Sequence, residues 1–148
     1  MQVFTDTGRA MADREARRAG EPTTKRAGSV LIVEDDTNVR QALARTLQLS
    51  GFSVIESSSG SGGIDVLRDR PQIAMVLLDL NMSPMDGRTF RKLQLADPAM
   101  ASIPTVVLTG APLADVDDAT LQADDYLLKP VGREHLVSVV SAYCRTSS

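Results

Sequence analysis

Five short apolar runs alternate with segments of helical spacing, and this alternation is the feature that most restricts the fold of the chain. The third run, IAMVLL, is apolar at every position, as expected for a strand buried on both faces. Alternating strands and helices predict an α/β fold, in which helices cover both faces of a parallel sheet. The predicted strands cover residues 30–33, 52–55, 73–78, 105–108 and 126–128.

The composition is typical of a single soluble domain. The chain has 148 residues, of which 43% are hydrophobic and 24% are charged. Its net charge of -3 argues against a nucleic-acid partner. No apolar run approaches the roughly 20 residues that span a membrane, and the N-terminus lacks the apolar core of a secretion signal. A single cysteine, Cys144, allows no internal disulfide. We therefore expect a cytoplasmic protein that binds neither membranes nor nucleic acids.

The first 27 residues differ from the rest of the chain in charge and in apolar content. They contain six basic and four acidic residues, a charge of +2, which leaves -5 for the remainder. Because few of their side chains are large and apolar, we expect residues 1–27 to be a disordered tail. The predicted domain then covers residues 28–145, and residues 146–148 form a short C-terminal tail.

Polar and charged side chains follow four of the five predicted strands. Glu34 and Asp35 follow the first strand, and Asp79 follows the third. Thr109 follows the fourth strand, and Lys129 follows the fifth. Because functional groups of open parallel sheets gather beyond the carboxyl ends of the strands, these side chains are predicted to share one edge.

The chemistry of this group favours a hard divalent cation and a phosphoryl group. Carboxylates without nearby histidine or cysteine suit Mg²⁺, and the cation would offset the repulsion between the acids. A lysine and a hydroxyl donor at such a site can stabilise charge on a phosphoryl group during its transfer. An aspartate can itself be the nucleophile. The sequence therefore predicts phosphoryl chemistry at this edge of the sheet.

Four motifs, at four of the predicted strand ends, occur in an order that is typical of one known family. They are LIVEDD, LLDLNMSPMDG, VVLTG and DDYLLKP, and they lie within residues 29–145. In these motifs the chain resembles the response-regulator receiver domain, the phosphoacceptor module of bacterial two-component systems. The resemblance implies a flavodoxin-like, doubly wound sheet of five parallel strands in the order 2-1-3-4-5.

The resemblance implies an acceptor and a metal site at the first and third strand ends. Asp79 would accept a phosphoryl group from a phosphohistidine. Glu34, Asp35 and Asp79 would hold Mg²⁺ together with the backbone carbonyl of Asn81. Asp36 follows the usual acidic pair, and we expect it to cap a helix or to support the metal site from outside.

The resemblance also implies how the site would act as a switch. Thr109 would hydrogen-bond a phosphoryl oxygen and move towards it, and Lys129 would pair with the phosphate. Tyr126 would be the aromatic residue that turns inward on activation. The Lys129–Pro130 peptide bond is expected to be cis, as in the family.

The chain departs from the family pattern in the turn after the acceptor and before the fifth strand. Ser83 stands where that turn usually has proline, and Gln122 stands where glycine is common. The interval between Thr109 and Tyr126 is shorter than usual, so the helix inside it is expected to be short.

We therefore expect a response regulator without an output domain, because only three residues follow Arg145. Its partners would be a histidine kinase or a histidine phosphotransfer protein, and a downstream protein target. It would catalyse only its own phosphorylation and dephosphorylation, and would not otherwise be an enzyme. A receiver detached from a hybrid kinase is a related possibility.

Two functions from other classes stay open. The first is a binding scaffold of the same fold that works without phosphorylation, although such a scaffold would not need the whole set of site residues. The second is a Mg²⁺-dependent phosphohydrolase with an aspartyl nucleophile. Enzymes of that kind with a haloacid-dehalogenase fold need a second acid two residues after the nucleophile, where this chain has Asn81.

Overall fold

The computed structural model describes residues 25–69 and 72–147, so most of the predicted tail, residues 1–24, lies outside the described residues. Its strands are β1 (Ser29–Val33), β2 (Val54–Ser57), β3 (Ile73–Asp79), β4 (Thr105–Thr109) and β5 (Asp125–Leu128). They form one sheet in the order β2-β1-β3-β4-β5, and all neighbouring strands are parallel. The predicted doubly wound sheet and its strand order are confirmed.

Helices connect the strands and cover both faces of the sheet. They are α1 (Thr37–Leu49), α2 (Gly60–Asp69), α3 (Gly87–Ala96), α4 (Pro98–Ala101), α5 (Asp118–Leu121) and α6 (Arg133–Tyr143), with a 3-10 turn at Leu113–Asp115. Among the described residues, none of these helices combines the length and the apolar character needed to cross a membrane.

Alternate side chains of the central strands enter opposite halves of the core. Val30 and Ile32 of β1 pack with side chains of α1 and α6. Leu31 and Val33 of the same strand pack with side chains of α2 and α3. Strand β3 lies between β1 and β4, and all seven of its residues are buried. This two-sided burial explains why its sequence is a continuous apolar run.

The second strand lies two residues further along the chain than predicted, so the prediction of 52–55 is wrong. Phe52 belongs to the turn after α1, where its N–H donates to the carbonyl of Leu47 at 3.0 Å, and its ring is buried in the core. Within residues 25–69 and 72–147, strand β2 pairs only with β1, at the edge of the sheet. An edge strand can expose polar residues such as Glu56, and the apolar pattern therefore misplaced it.

The helix between Thr109 and Tyr126 is short, as expected. Only a 3-10 turn and the four-residue helix α5 form in this interval. Gln122 ends α5 in the left-handed conformation, with φ 47° and ψ 42°. Glycine adopts this conformation more readily than other residues, which explains why it is common at this position in the family.

Backbone pairing extends beyond the predicted domain boundaries of 28 and 145. Arg26 forms a parallel bridge with Cys144, in which its N–H donates to the carbonyl of Tyr143 at 2.9 Å. Near the other end, the N–H of Ser147 donates to the carbonyl of Gly51 at 2.7 Å. The folded unit therefore includes residues that the prediction placed in the two tails.

Candidate functional site

The carboxyl ends of four strands bring the predicted site residues to one edge of the sheet. Asp79 is the last residue of β3, and Thr109 is the last residue of β4. Glu34 and Lys129 directly follow β1 and β5. Both Asp79 and Thr109 are buried, so their polar groups lie where the surrounding protein excludes water.

Three carboxylates form a group that could hold a metal ion. One oxygen from each of Glu34, Asp35 and Asp79 lies within 4.8 Å of the other two. Glu34 and Asp79 are buried, whereas Asp35 is exposed to solvent at the edge of the group. Oxygen ligands at this spacing, without histidine or cysteine among them, fit a hard divalent cation.

Lys129 lies between two of these acids. Its Nζ is 2.7 Å from Oε1 of Glu34 and 3.0 Å from Oδ1 of Asp79. Burial lowers the pKa of Lys129, but the hydrogen bonds and charges of Glu34 and Asp79 outweigh it, so the pKa is raised. Burial also raises the pKa of Glu34, an effect that the hydrogen bond from Lys129 opposes. The lysine therefore remains charged and compensates part of the buried negative charge.

The turn after β1 is held from two sides. Arg40 of α1 donates from Nη1 to the carbonyl of Glu34 at 2.9 Å and from Nε to Glu56 at 3.2 Å. Asp36 caps α1 by accepting from the N–H of Val39 at 3.0 Å, which confirms its predicted capping role. Sequence reasoning missed Arg40, although its place in the first turn of the helix that follows the acidic pair is a usable clue.

The turn after β3 lies close against the end of that strand. The N–H of Asn81 lies 3.3 Å from Oδ1 of Asp79, and the Asn81 residue is exposed. Gly87, at the start of α3, allows the turn to close. A Cβ atom there would lie 2.7 Å from the carbonyl oxygen of Asp79 and 2.8 Å from Cα of Leu80. The glycine that ends the LLDLNMSPMDG motif is therefore required for steric reasons.

The two residues of the predicted switch are both buried. Oγ1 of Thr109 accepts a hydrogen bond from the N–H of Ala111 at 3.0 Å. Tyr126 of β5 is opposite Val107 of β4, and its hydroxyl donates to the carboxylate of Asp118 on α5. The acceptor Asp118 was not predicted from the sequence. The Lys129–Pro130 bond is cis, as predicted, and the Ser83–Pro84 bond is also cis.

Comparison with known proteins gives one consistent result. The family model described as "Response regulator receiver domain" matches residues 30–141. The chain is 32% identical over 123 residues to the "Cell cycle response regulator CtrA" of Brucella ovis and to that of Brucella anthropi. These alignments cover 80% of this chain but only 50% of each relative, so the chain spans about half the length of these curated relatives.

Solved structures show the same architecture. A CheY-like response regulator receiver domain protein from Methanospirillum hungatei is 33% identical with a TM-score of 0.66, over 77% of this chain and 91% of that one. The chemotaxis protein CheY4 of Vibrio cholerae gives a TM-score of 0.72 at 24% identity, over 79% of this chain and 98% of that one. The second likeness is evidence for the fold alone.

Proposed function

Because the chain belongs to the response regulator receiver domain family, we propose that Asp79 accepts a phosphoryl group from a phosphohistidine of a kinase or phosphotransfer protein. The observation that carries this proposal is the position of Asp79. Its carboxylate is buried at the end of β3, within 4.8 Å of the Glu34 and Asp35 oxygens and 3.0 Å from Nζ of Lys129. These surroundings support the proposal, because an ammonium group and carboxylates that fit a metal ion adjoin a carboxylate that can act as a nucleophile.

In the proposed transfer, a carboxylate oxygen of Asp79 attacks phosphorus while the bond from phosphorus to the histidine nitrogen breaks. Glu34, Asp35, Asp79 and the backbone carbonyl of Asn81 would hold Mg²⁺, which would neutralise charge on the phosphoryl oxygens. Lys129 already contacts Asp79 and would pair with a phosphoryl oxygen of the product. Its positive charge favours the acyl phosphate because the phosphoryl group brings additional negative charge to the site.

The proposed switch uses Thr109 and Tyr126. The hydroxyl group of Thr109 would donate a hydrogen bond to a phosphoryl oxygen. This hydrogen bond would exist only in the phosphorylated state. Tyr126 lies on the strand next to that of Thr109, so a movement of Thr109 can bias its position. We propose that the altered surface binds a downstream protein target.

We also propose that the protein is cytoplasmic and has no membrane partner. We further propose that it has no nucleic-acid partner, which agrees with its net charge of -3.

We infer that the protein is not an enzyme acting on a separate phosphate ester. Asn81 lies two residues after Asp79 and contributes an amide side chain, which cannot act as a general acid at neutral pH. The described residues 25–69 and 72–147 form only the receiver fold. We therefore propose that signalling by this unit depends on protein contacts.

The experiment that tests this function is phosphorylation by a small phosphodonor with Mg²⁺, read by intact mass. We expect one added phosphoryl group in the natural chain and none after Asp79→Asn or after chelation of Mg²⁺. Asp115→Asn removes an exposed carboxylate elsewhere and is expected to leave the adduct unchanged. An adduct that survives Asp79→Asn would contradict the assignment. If no adduct forms and no Mg²⁺-dependent beryllofluoride complex forms, the scaffold function is favoured instead.

A further inference from the structure

Arg91 of α3 is a buried cation that holds the C-terminal end of α5. Only 3% of the residue is exposed. Its Nε donates to the carbonyl of Leu121 at 2.7 Å, and its Nη2 donates to the carbonyl of Gln122 at 2.7 Å. Carbonyls at a helix C-terminus lack partners within the helix and carry partial negative charge, so a guanidinium is a favourable partner for them.

The same guanidinium also contacts its own helix and the first residue of β4. Its Nη1 donates to Oε1 of Gln94 at 2.8 Å and to Oγ1 of Thr105 at 3.1 Å. Burial lowers the pKa of Arg91, and nearby acidic groups, Asp124 foremost, oppose this effect. Arg91 therefore connects α3, β4 and α5 through one rigid planar group.

Helix α5 depends on such contacts because it has only four residues. A helix of this length is not stable by itself in water. Its other end carries Asp118, which is buried and accepts the hydroxyl proton of the buried Tyr126 in a hydrogen bond. Arg91 therefore holds one end of the helix, and the other end holds Tyr126.

This network adjoins the phosphoacceptor site. Tyr126 and Leu121 belong to a small core cluster that also contains Leu80 and Val107. Leu80 directly follows Asp79, and Val107 lies two residues before Thr109 on the same strand. A displacement of either site residue would therefore reach the packing around Tyr126.

We infer that Asp118 and Arg91 are positioning residues, which hold Tyr126 in its buried position and set how strongly it is coupled to Asp79. Only the coupling to Asp79 rests on the proposed function; the role of the two residues in holding Tyr126 does not. Thermodynamic linkage makes this coupling reciprocal. If phosphorylation stabilises the buried position of Tyr126 by a certain factor, then fixing Tyr126 in that position strengthens the binding of a phosphoryl analogue by the same factor. Variants that destabilise the buried position should therefore bind the analogue more weakly.

The position of Tyr126 can be tested without phosphorylation. The chain has two tyrosines, so 3-fluorotyrosine gives two fluorine resonances, and Tyr143→Phe assigns them. We expect Asp118→Ala to shift the Tyr126 resonance and to increase its response to D₂O. Asp118→Asn keeps an acceptor oxygen and should restore most of the natural spectrum. Asp115→Ala removes an exposed carboxylate from the preceding turn and should change nothing.

Arg91 is tested in the same way. Arg91→Lys keeps the charge but cannot reach the carbonyls of Leu121 and Gln122 together, so the Tyr126 resonance should move as in Asp118→Ala. Lys92→Ala, at the exposed neighbouring position, serves as the control. A Tyr126 resonance that stays in place in the folded Asp118→Ala and Arg91→Lys proteins would overturn the inference.

The coupling to Asp79 has a separate readout. With Mg²⁺ present, Asp118→Ala and Tyr126→Phe should each weaken beryllofluoride binding about fivefold, the effect of losing one hydrogen bond, and the double variant should be no weaker. Unchanged affinity in both single variants would overturn the coupling. If the natural chain binds no beryllofluoride at all, the proposed function fails, while the fluorine spectra still decide the role of Asp118.

Discussion

The ammonium group of Lys129 lies 3.0 Å from the carboxylate of Asp79, so the proposed phosphoryl acceptor is already paired with a cation. The same nitrogen lies 2.7 Å from Glu34. A metal ion at the carboxylate group would therefore approach two acids that a lysine partly neutralises. We therefore expect Lys129 to oppose the binding of a metal ion and to favour the proposed phosphoryl group.

Replacing Lys129 with alanine should separate these two effects. Because a positive charge near the metal ligands is removed, we expect Mg²⁺ to bind roughly tenfold more tightly to Lys129→Ala. Beryllofluoride binding should instead weaken, because the analogue loses a cationic partner. Titration calorimetry with each ligand measures both effects. Arg133→Ala removes an exposed positive charge nearby and is the matched control. Weaker Mg²⁺ binding in Lys129→Ala would contradict the electrostatic argument.

Gly63 of α2 marks a close contact between this helix and the core. A Cβ atom at Gly63 would lie 2.9 Å from Cε2 of Phe90 and 2.9 Å from Cγ2 of Val33, and both neighbours are fully buried. We expect Gly63→Ala to lower the free energy of unfolding by about 1 kcal/mol, because overpacking outweighs the better helix propensity of alanine. Urea denaturation measures the change.

Gly110→Ala is the control for this substitution. A Cβ atom at Gly110 would meet no atom of the described residues within 4 Å, so the free energy of unfolding should change by less than about 0.5 kcal/mol. Equal losses in the two variants would show that steric contact does not explain the requirement for glycine at position 63.

The parts of the site that could be predicted lie at strand ends. Strand β3 is apolar up to its last residue, Asp79, so the end of the strand could be located from the sequence. The parallel sheet then required that Glu34, Thr109 and Lys129 lie at the same edge. This reasoning needs only the period of the apolar pattern and the parallel strand arrangement that alternating strands and helices predict.

The supporting network could not be predicted in this way. On α3, Arg91 lies between the buried Phe90 and the exposed Lys92, so its neighbours do not indicate its burial, and a single arginine on a helix normally faces solvent. Its burial depends on where α5 lies, and Asp118 becomes a partner of Tyr126 only through that placement. Arg91 and Leu121 are 30 residues apart in sequence, and no local pattern records their contact.

Asp86 caps α3, and this cap makes stability depend on pH. Its carboxylate accepts from the N–H of Thr89 at 2.9 Å, and this hydrogen bond is the main reason why the pKa of Asp86 is lowered. We expect Asp86→Ala to cost about 1 kcal/mol of unfolding free energy at neutral pH. Asp86→Asn keeps an acceptor oxygen and should lower the free energy of unfolding by only a few tenths of a kcal/mol.

The sign of the pH effect follows from the lowered pKa. The stabilisation by the charged carboxylate is complete above the ordinary aspartate pKa of about 4 and is lost as the pH falls through the lower folded-state value. The difference between the natural chain and Asp86→Asn should therefore narrow below about pH 4 in urea titrations. A difference that stays constant across this range would exclude the charge of Asp86 as its source.

The rate at which the Cys144 thiol is alkylated is a measure of the stability of the backbone bridge between Arg26 and Cys144. It is the only cysteine of the chain, it is buried, and burial raises the pKa of its thiol. Alkylation of the folded protein should therefore be slow and should require local opening. Arg26→Pro removes the N–H that donates to the carbonyl of Tyr143, so we expect roughly fivefold faster labelling by iodoacetamide, read by mass.

Arg26→Ala distinguishes the backbone bridge from the arginine side chain. It keeps the N–H and the bridge but loses the exposed hydrogen bond from Nη1 to the carbonyl of Ser102. Labelling should then proceed at the natural rate, because the contact that is lost lies at the surface and contributes little to stability. Equal acceleration in both variants would mean that the side chain of Arg26 protects Cys144, since only the proline variant loses the backbone donor.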